Sequence, residues 1–205
     1  MKISRAYVIQ KIKFLIPVLA VFYIIYSGFI YSIVYTSAKK LPCLDDKEVM
    51  RIKLFGSSIS EDGNTVSAVF SIIDTNGNEM AVIERSWNGN YLTIDFYKTN
   101  ISGKNFFFPS AIYGKEEMLA GPRRTRQTSL SRYYDENKEC LLLGFGSTKK
   151  QRQLLYNISS FSNGHFKVLR IGRVKKISTD LSFCQTGIYY SVRAGKDGKL
   201  ELNRL

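Results

Sequence analysis

The sequence predicts a mostly β domain, an antiparallel meander built into a sandwich or open barrel, with one packed amphipathic helix and a transmembrane helix ahead of it. Three observations carry this. Phe14 to Ala38 is a run of 25 residues without a charge, long enough to cross a bilayer. Beyond it, runs of β-branched and aromatic residues alternate with Asn-Gly and Asp-Gly turn clusters. One stretch after Thr148 then changes to helical spacing.

The apolar run comes first. Phe14 to Tyr35 spans 22 residues, about 33 Å as a helix, which matches a hydrocarbon core of about 30 Å. A cleaved signal peptide is the competing account, because Thr36-Ser37-Ala38 has the small residues of a cleavage site. Signal peptides carry shorter apolar regions of about 7–15 residues, so an uncleaved anchor is expected. Lys2, Arg5, Lys11 and Lys13 precede the run with no acid among them, and Lys39 and Lys40 follow it. By the positive-inside count the N-terminus is cytoplasmic. The expected organisation is a basic cytoplasmic segment at 1–13, the anchor at 14–38, a juxtamembrane linker at 39–48 and one β-rich extracytoplasmic domain at 49–205. Gly28 and Ser32 are a small-xxx-small pair that would let a second such helix self-associate closely, although such pairs also arise by chance in most membrane spans. The run holds no Asp, Glu, Lys, Arg or His, so it has no residues for an ion path.

Strand signals follow in order. Met50, Ile52 and Leu54 alternate within Val49 to Ile59, and the cluster at 60–64 ends that strand. Thr65 to Ile73 and Glu79 to Trp87 flank Asp74-Thr75-Asn76-Gly77-Asn78, a hairpin signal. A second Asn-Gly, at 88–89, leads into the alternating Tyr91 to Tyr97, and the four strands are expected to form one meander. Phe106-Phe107-Phe108 is expected as a short buried strand closed by Pro109, and Gly121 to Arg126 as an exposed loop. Tyr133-Tyr134 and Cys140 to Leu143 flank a further hairpin turn at 135–138. Thr148 and Gln151 form a capping-box pattern. Leu154, Leu155, Ile158 and Phe161 then make one apolar stripe, stopped by Asn163-Gly164. Strands are expected again at His165 to Ile171, Gly187 to Arg193 and Leu200 to Leu202.

Little in the chain suits catalysis. With one His and three Cys that lack CxxC spacing, no metal site and no cofactor are expected. Cys140 and Cys184 sit in apolar strand context and read as buried thiols, a disulfide between them being the alternative in an exported domain. A hydrolase would need paired carboxylates, or one of these thiols with His165; the adjacent carboxylates fall mainly in turns, where solvation explains them. Phosphate-cradling and nucleophile-elbow motifs are absent. Gly144-Phe145-Gly146 with Lys149 and Lys150 precedes the helix, where an anion would be welcome.

Charge is the stronger lead. Residues 43–120 carry a net charge of −4 and residues 121–205 a net charge of +11. The basic residues cluster as Arg123, Arg124, Arg126 and Arg132, then Lys149, Lys150 and Arg152, then Arg170, Arg173, Lys175 and Lys176. Such patches serve a polyanionic partner or are solvated faces. An extracytoplasmic domain makes nucleic acid an unsuitable partner, so anionic lipid or a cell-envelope polymer is expected beside the bilayer itself. The expected function is therefore a membrane-anchored, non-catalytic binding or interaction domain. Its alternatives are a membrane-anchored hydrolase and a cytoplasm-facing module for anionic lipid.

Overall fold

The structure is a computed structural model that describes residues 5–42, 46–60, 63–116, 127–164, 172–195 and 197–205. Its first element is α1 (Arg5–Lys40), one continuous helix. Residues Leu15–Lys40 within it are long and apolar enough to cross a membrane. The remainder is mostly β, in antiparallel sheets.

β1 (Glu48–Ser60), β2 (Gly63–Ile73) and β3 (Glu79–Asn88) form a meander. Met50, Ile52 and Leu54 of β1 and Val66, Ala68, Phe70 and Ile72 of β2 are buried in alternation, the period-2 pattern of a half-covered sheet. Asp74 builds the β2–β3 turn, its carboxylate accepting from the N–H groups of Asn76 (2.7 Å) and Asn78 (2.9 Å). β10 (Tyr189–Ala194) and β11 (Leu200–Arg204) extend this sheet on the β1 side, in the order β11-β10-β1-β2-β3.

The meander stops at three strands. β4 (Tyr91–Ile101) leaves for a second sheet with β5 (Lys104–Lys115), β6 (Thr128–Ser129) and β9 (Val174–Asp180), in the order β6-β5-β4-β9. The second Asn-Gly is thus a corner between sheets rather than a hairpin. Two missing side chains permit it: a Cβ on Gly89 would lie 2.7 Å from the Lys115 backbone, and one on Gly114 only 1.8 Å from the Asn88 carbonyl. β5 also continues past Pro109, where a chain break was expected. Asp95 pairs with Ala111 and Phe96 with Pro109, so Ser110 is an extra residue in a bulge, the setting in which a sheet tolerates proline. β9 arises from a stretch the sequence marks only by its charge, and the strand expected at 165–171 lies outside the described residues.

β7 (Asp135–Glu136) and β8 (Glu139–Cys140) form a small hairpin, but residues 135–136, expected in the turn, are its first strand. Asn137 and Lys138 adopt positive φ in its turn. The residues flanking it, Ser131–Tyr133 and Leu141–Leu143, are single 3-10 turns. α2 (Lys149–Asn163) carries the full capping box between Thr148 and Gln151. Gly164 ends it at φ −66, outside the left-handed region; the glycine is needed because a Cβ would meet the Ser160 carbonyl at 2.7 Å. The two sheets share one core that includes Ile52, Phe70, Val192, Ile94, Phe96 and Phe108. Thr99 of β4 meets Ser162 of α2 at 2.5 Å, so α2 covers the second sheet.

Candidate functional site

The end of α1 belongs to the domain's core. Ser27, Val34, Ser37, Ala38 and Leu41 are buried, and Ile30 packs against the same cluster. Their three- and four-residue spacing places them along one helix face. Asn157 of α2 donates to Ser37 Oγ at 3.3 Å. The β4–β5 turn supplies Lys104, whose ammonium donates to the carbonyls of Ala38 (3.1 Å), Lys39 (3.3 Å) and Leu41 (2.5 Å). A cation here satisfies carbonyls left open at a helix C-terminus and opposes the negative end of its dipole. The turn reaches this position because Ser102 and Gly103 take φ of 55° and 74°, as a two-residue hairpin demands.

The described basic residues marked in the sequence take several different partners. Arg123, Arg124, Arg126 and Arg170 lie outside the described residues. Arg152 donates to Glu139 at 2.7 Å, and Lys149 stands 3.8 Å from the same carboxylate. Glu139 therefore offsets cations in the first turn of α2, where the helix dipole disfavours them. Lys150 and Lys175 are exposed. The N-terminus of α2 is already served by its own capping box, which leaves less for an outside anion. The Arg173 guanidinium lies 3.9 Å over the Tyr31 ring of α1. Lys176 pairs with Asp95 at 2.5 Å.

Asp95 is a fully buried carboxylate in the middle of β4. One oxygen accepts from Ser178 Oγ (2.6 Å) and Tyr113 Oη (3.2 Å); the other meets only Lys176. A charge taken out of water needs such partners, and the arrangement is a cross-strand clasp between β4, β5 and β9. A second polar cluster lies under α2. Asp135 accepts from Ser159 Oγ at 2.6 Å and pairs across the small hairpin with Cys140. Burial raises the Asp135 carboxyl to about 6 against the hydrogen bonds of Ser159 and Cys140.

Cys140 and Cys184 are free thiols, Cys140 buried and Cys184 half-buried. The disulfide alternative is not formed: Cys140 closes β8 beneath α2, whereas Cys184 sits in the turn after β9, bonded through its N–H to the Leu181 carbonyl. Burial and the Asp135 charge hold the Cys140 thiol well above its ordinary range. Burial, helped by Asp180, pushes Cys184 up to about 11. Neither is a ready nucleophile, since reactivity requires the thiolate. Cys43 and His165 lie outside the described residues. Among the described residues no group of three or more His, Cys, Asp and Glu side chains is placed to hold a metal ion.

The concave feature with the richest chemistry lies where the two sheets meet, between β3 and β6. It is a groove of about 510 Å³, lined by Arg85, Trp87 and Asn88 on one side and Gln127, Thr128 and Arg132 on the other. The Trp87 indole N–H donates to Thr128 Oγ1 at 3.0 Å, and Arg85 reaches the same oxygen at 3.4 Å. Arg132 bonds the Tyr133 hydroxyl at 2.9 Å with its guanidinium 4.9 Å over that ring. Of the described residues proposed from sequence, Arg132 alone lines this groove. Arg85, Asn88 and Gln127 carry no sequence signal, because 41 residues separate Arg132's neighbour Thr128 from Trp87. By contrast, the cavity between the sheets near Val49, Phe107 and Leu155 holds about 40 Å³, room for a water or two.

No family model, no curated protein and no solved structure matches this chain.

Proposed function

We propose that this is a single-pass membrane protein with a cytoplasmic N-terminus. Its β-rich domain, outside the cytoplasmic membrane, binds an anionic component of the cell envelope without transforming it. The anchor rests on the length and apolarity of Leu15–Lys40, and one observation carries the retention of that helix: Val34 and Ala38 of α1 sit in the same core as both sheets. Cleavage after Ala38 would strip those side chains from the domain and leave Lys104 without one of its three carbonyls. That supports a retained helix over a removed leader. Orientation rests on four bases before the apolar run against two after it. The anionic partner rests on the +11 of residues 121–205, and the non-catalytic reading on a sequence with one His, three Cys without CxxC spacing and no nucleophile-elbow or phosphate-cradling motif.

The test is made on the full chain in cells. After an alkaline carbonate wash the protein stays with the membrane, and protease added outside intact protoplasts removes the C-terminal domain. A mature chain beginning at Lys39 overturns the anchor. A domain that resists protease until the membrane is opened overturns the orientation and favours the cytoplasm-facing alternative.

A further inference from the structure

We propose that the groove between β3 and β6 is a binding site for an acidic glycan, a saccharide strand bearing phosphate or carboxylate groups, held between Arg85 and Arg132. The envelope as its source rests on the functional reading above; the groove's chemistry does not.

Size comes first: about 510 Å³ falls within the 300–1,000 Å³ typical of ligand sites. The lining comes next. Among the described lining residues there are two guanidinium groups and no acid, and the rest are chiefly amides and hydroxyls. Guanidinium forks match phosphate and carboxylate oxygens bidentately, and side-chain amides such as Asn88 and Gln127 both donate and accept, as sugar hydroxyls require. Third, the walls are strand edges. Among the described residues β3 pairs only with β2 and β6 only with β5, so each strand keeps an edge whose backbone N–H and C=O groups take no part in the ladders.

The cationic arms are positioned in advance. Arg132 is braced by the Tyr133 ring and hydroxyl, and Arg85 leans on Thr128, itself fixed by Trp87. Preorganisation of this kind lowers the cost of binding. Two other ligand classes fit less well. A lipid tail or drug-like apolar group finds a polar floor. A single nucleic-acid strand needs exposed aromatic faces for its bases, and the ring in this groove, Trp87, is 3% exposed with its N–H already engaged.

The experiment titrates the full chain in detergent micelles with dextran sulfate, polygalacturonate and uncharged dextran. Both acidic polymers bind and dextran does not. Arg85→Ser with Arg132→Ser weakens binding by about tenfold or more, as expected for lost charge-assisted hydrogen bonds. Removing two exposed charges elsewhere, Lys47→Ser with Lys138→Asn, weakens it by less than about threefold, because those charges act only through a screened field. Arg85→Lys with Arg132→Lys binds at least about threefold more tightly than the Ser pair but short of the native chain, because the charge returns without the bidentate fork or the stack on Tyr133; a folding defect would not allow that partial recovery. Equal losses from the two charge-removing pairs, or no binding by the native chain at low salt, overturn the proposal. The measurement ignores compartment, so a cytoplasmic outcome in the protease test would remove the envelope as the ligand's source and leave the groove standing.

Discussion

If the last turns of α1 are part of the domain core, trimming their buried side chains must destabilise strands far away in the sequence. Leu41 and Val34 are each 2% exposed, whereas Ile33 and Phe29 on the same helix are 39% and 64% exposed. Leu41→Ala removes a buried isopropyl group and leaves a cavity, at a cost of about 2–5 kcal/mol. Val34→Ala removes two buried methyl groups, at about 0.8 kcal/mol each before any cavity penalty. For a chain of this size each kcal/mol moves the melting temperature by about 2–4 °C. Leu41→Ala therefore lowers it by between about 4 and 20 °C. Trp87 reports the transition: its ring is buried edge-on against Phe70, with centroids 5.3 Å apart, so its emission shifts to the red when the sheets separate. Ile33→Ala and Phe29→Ala are the controls and should move the transition by no more than about 1–2 °C. If the two buried-site variants melt with the controls, α1 merely tethers a domain that folds without it.

Two further predictions follow from the buried carboxylates. Lys176→Met strands the Asp95 charge inside the second sheet and should cost about 3–5 kcal/mol. Asp95→Asn keeps the Ser178 and Tyr113 contacts and frees a lysine that is already 40% exposed, so it should cost less. The reverse order in thermal melts would show that the clasp is not what neutralises Asp95. Asp135 supplies a pH dependence: its folded value of about 6 exceeds its ordinary value of 3.8, so the native state binds more protons between the two. Stability from this group is full below about pH 4 and falls as pH rises through 6. Allowing for the partial exposure of Asp135, the loss is about 1–2 kcal/mol. Asp135→Asn should remove that slope and stabilise the chain at pH 7.5; a slope unchanged by the substitution would assign it to another group.

The anchor turns change what a membrane span means in this molecule. Between Leu15 and Tyr26 most side chains are exposed, as lipid-facing residues are. From Ser27 onward one face of the helix is covered by the domain. The same helix is thus exposed over its earlier turns and covered by protein over its last ones. The Arg173–Tyr31 stack and the Asn157–Ser37 bond hold the domain against it. A linker at 39–48 that let the domain swing freely would be at odds with three Lys104 contacts at its start.

Sequence alone determined what depends on short-range pattern. The charge-free run from Phe14, the alternation of Met50, Ile52 and Leu54, the Asn76-Gly77 turn and the Thr148–Gln151 cap are each complete within a few residues. Each chooses its local structure by sterics, hydrogen-bond periodicity or hydrophobic exposure, so α1, β1 to β3, α2, β10 and β11 were legible. Tertiary structure decided everything that depends on who lies opposite. Whether Asn88-Gly89 turns back or crosses to a second sheet is set by Gly114, 25 residues later, because only two absent side chains let the strands touch. Pro109 stays in its strand because the neighbouring pairing can absorb Ser110 as a bulge. The charges of Lys149, Arg152 and Lys176, identical in sequence to those of Lys150 and Lys175, are answered by carboxylates that the fold brings to them. Arg85 and Arg132 line one groove for the same reason. Local physics picks the elements, but a site is a coincidence of distant residues, and only packing creates it.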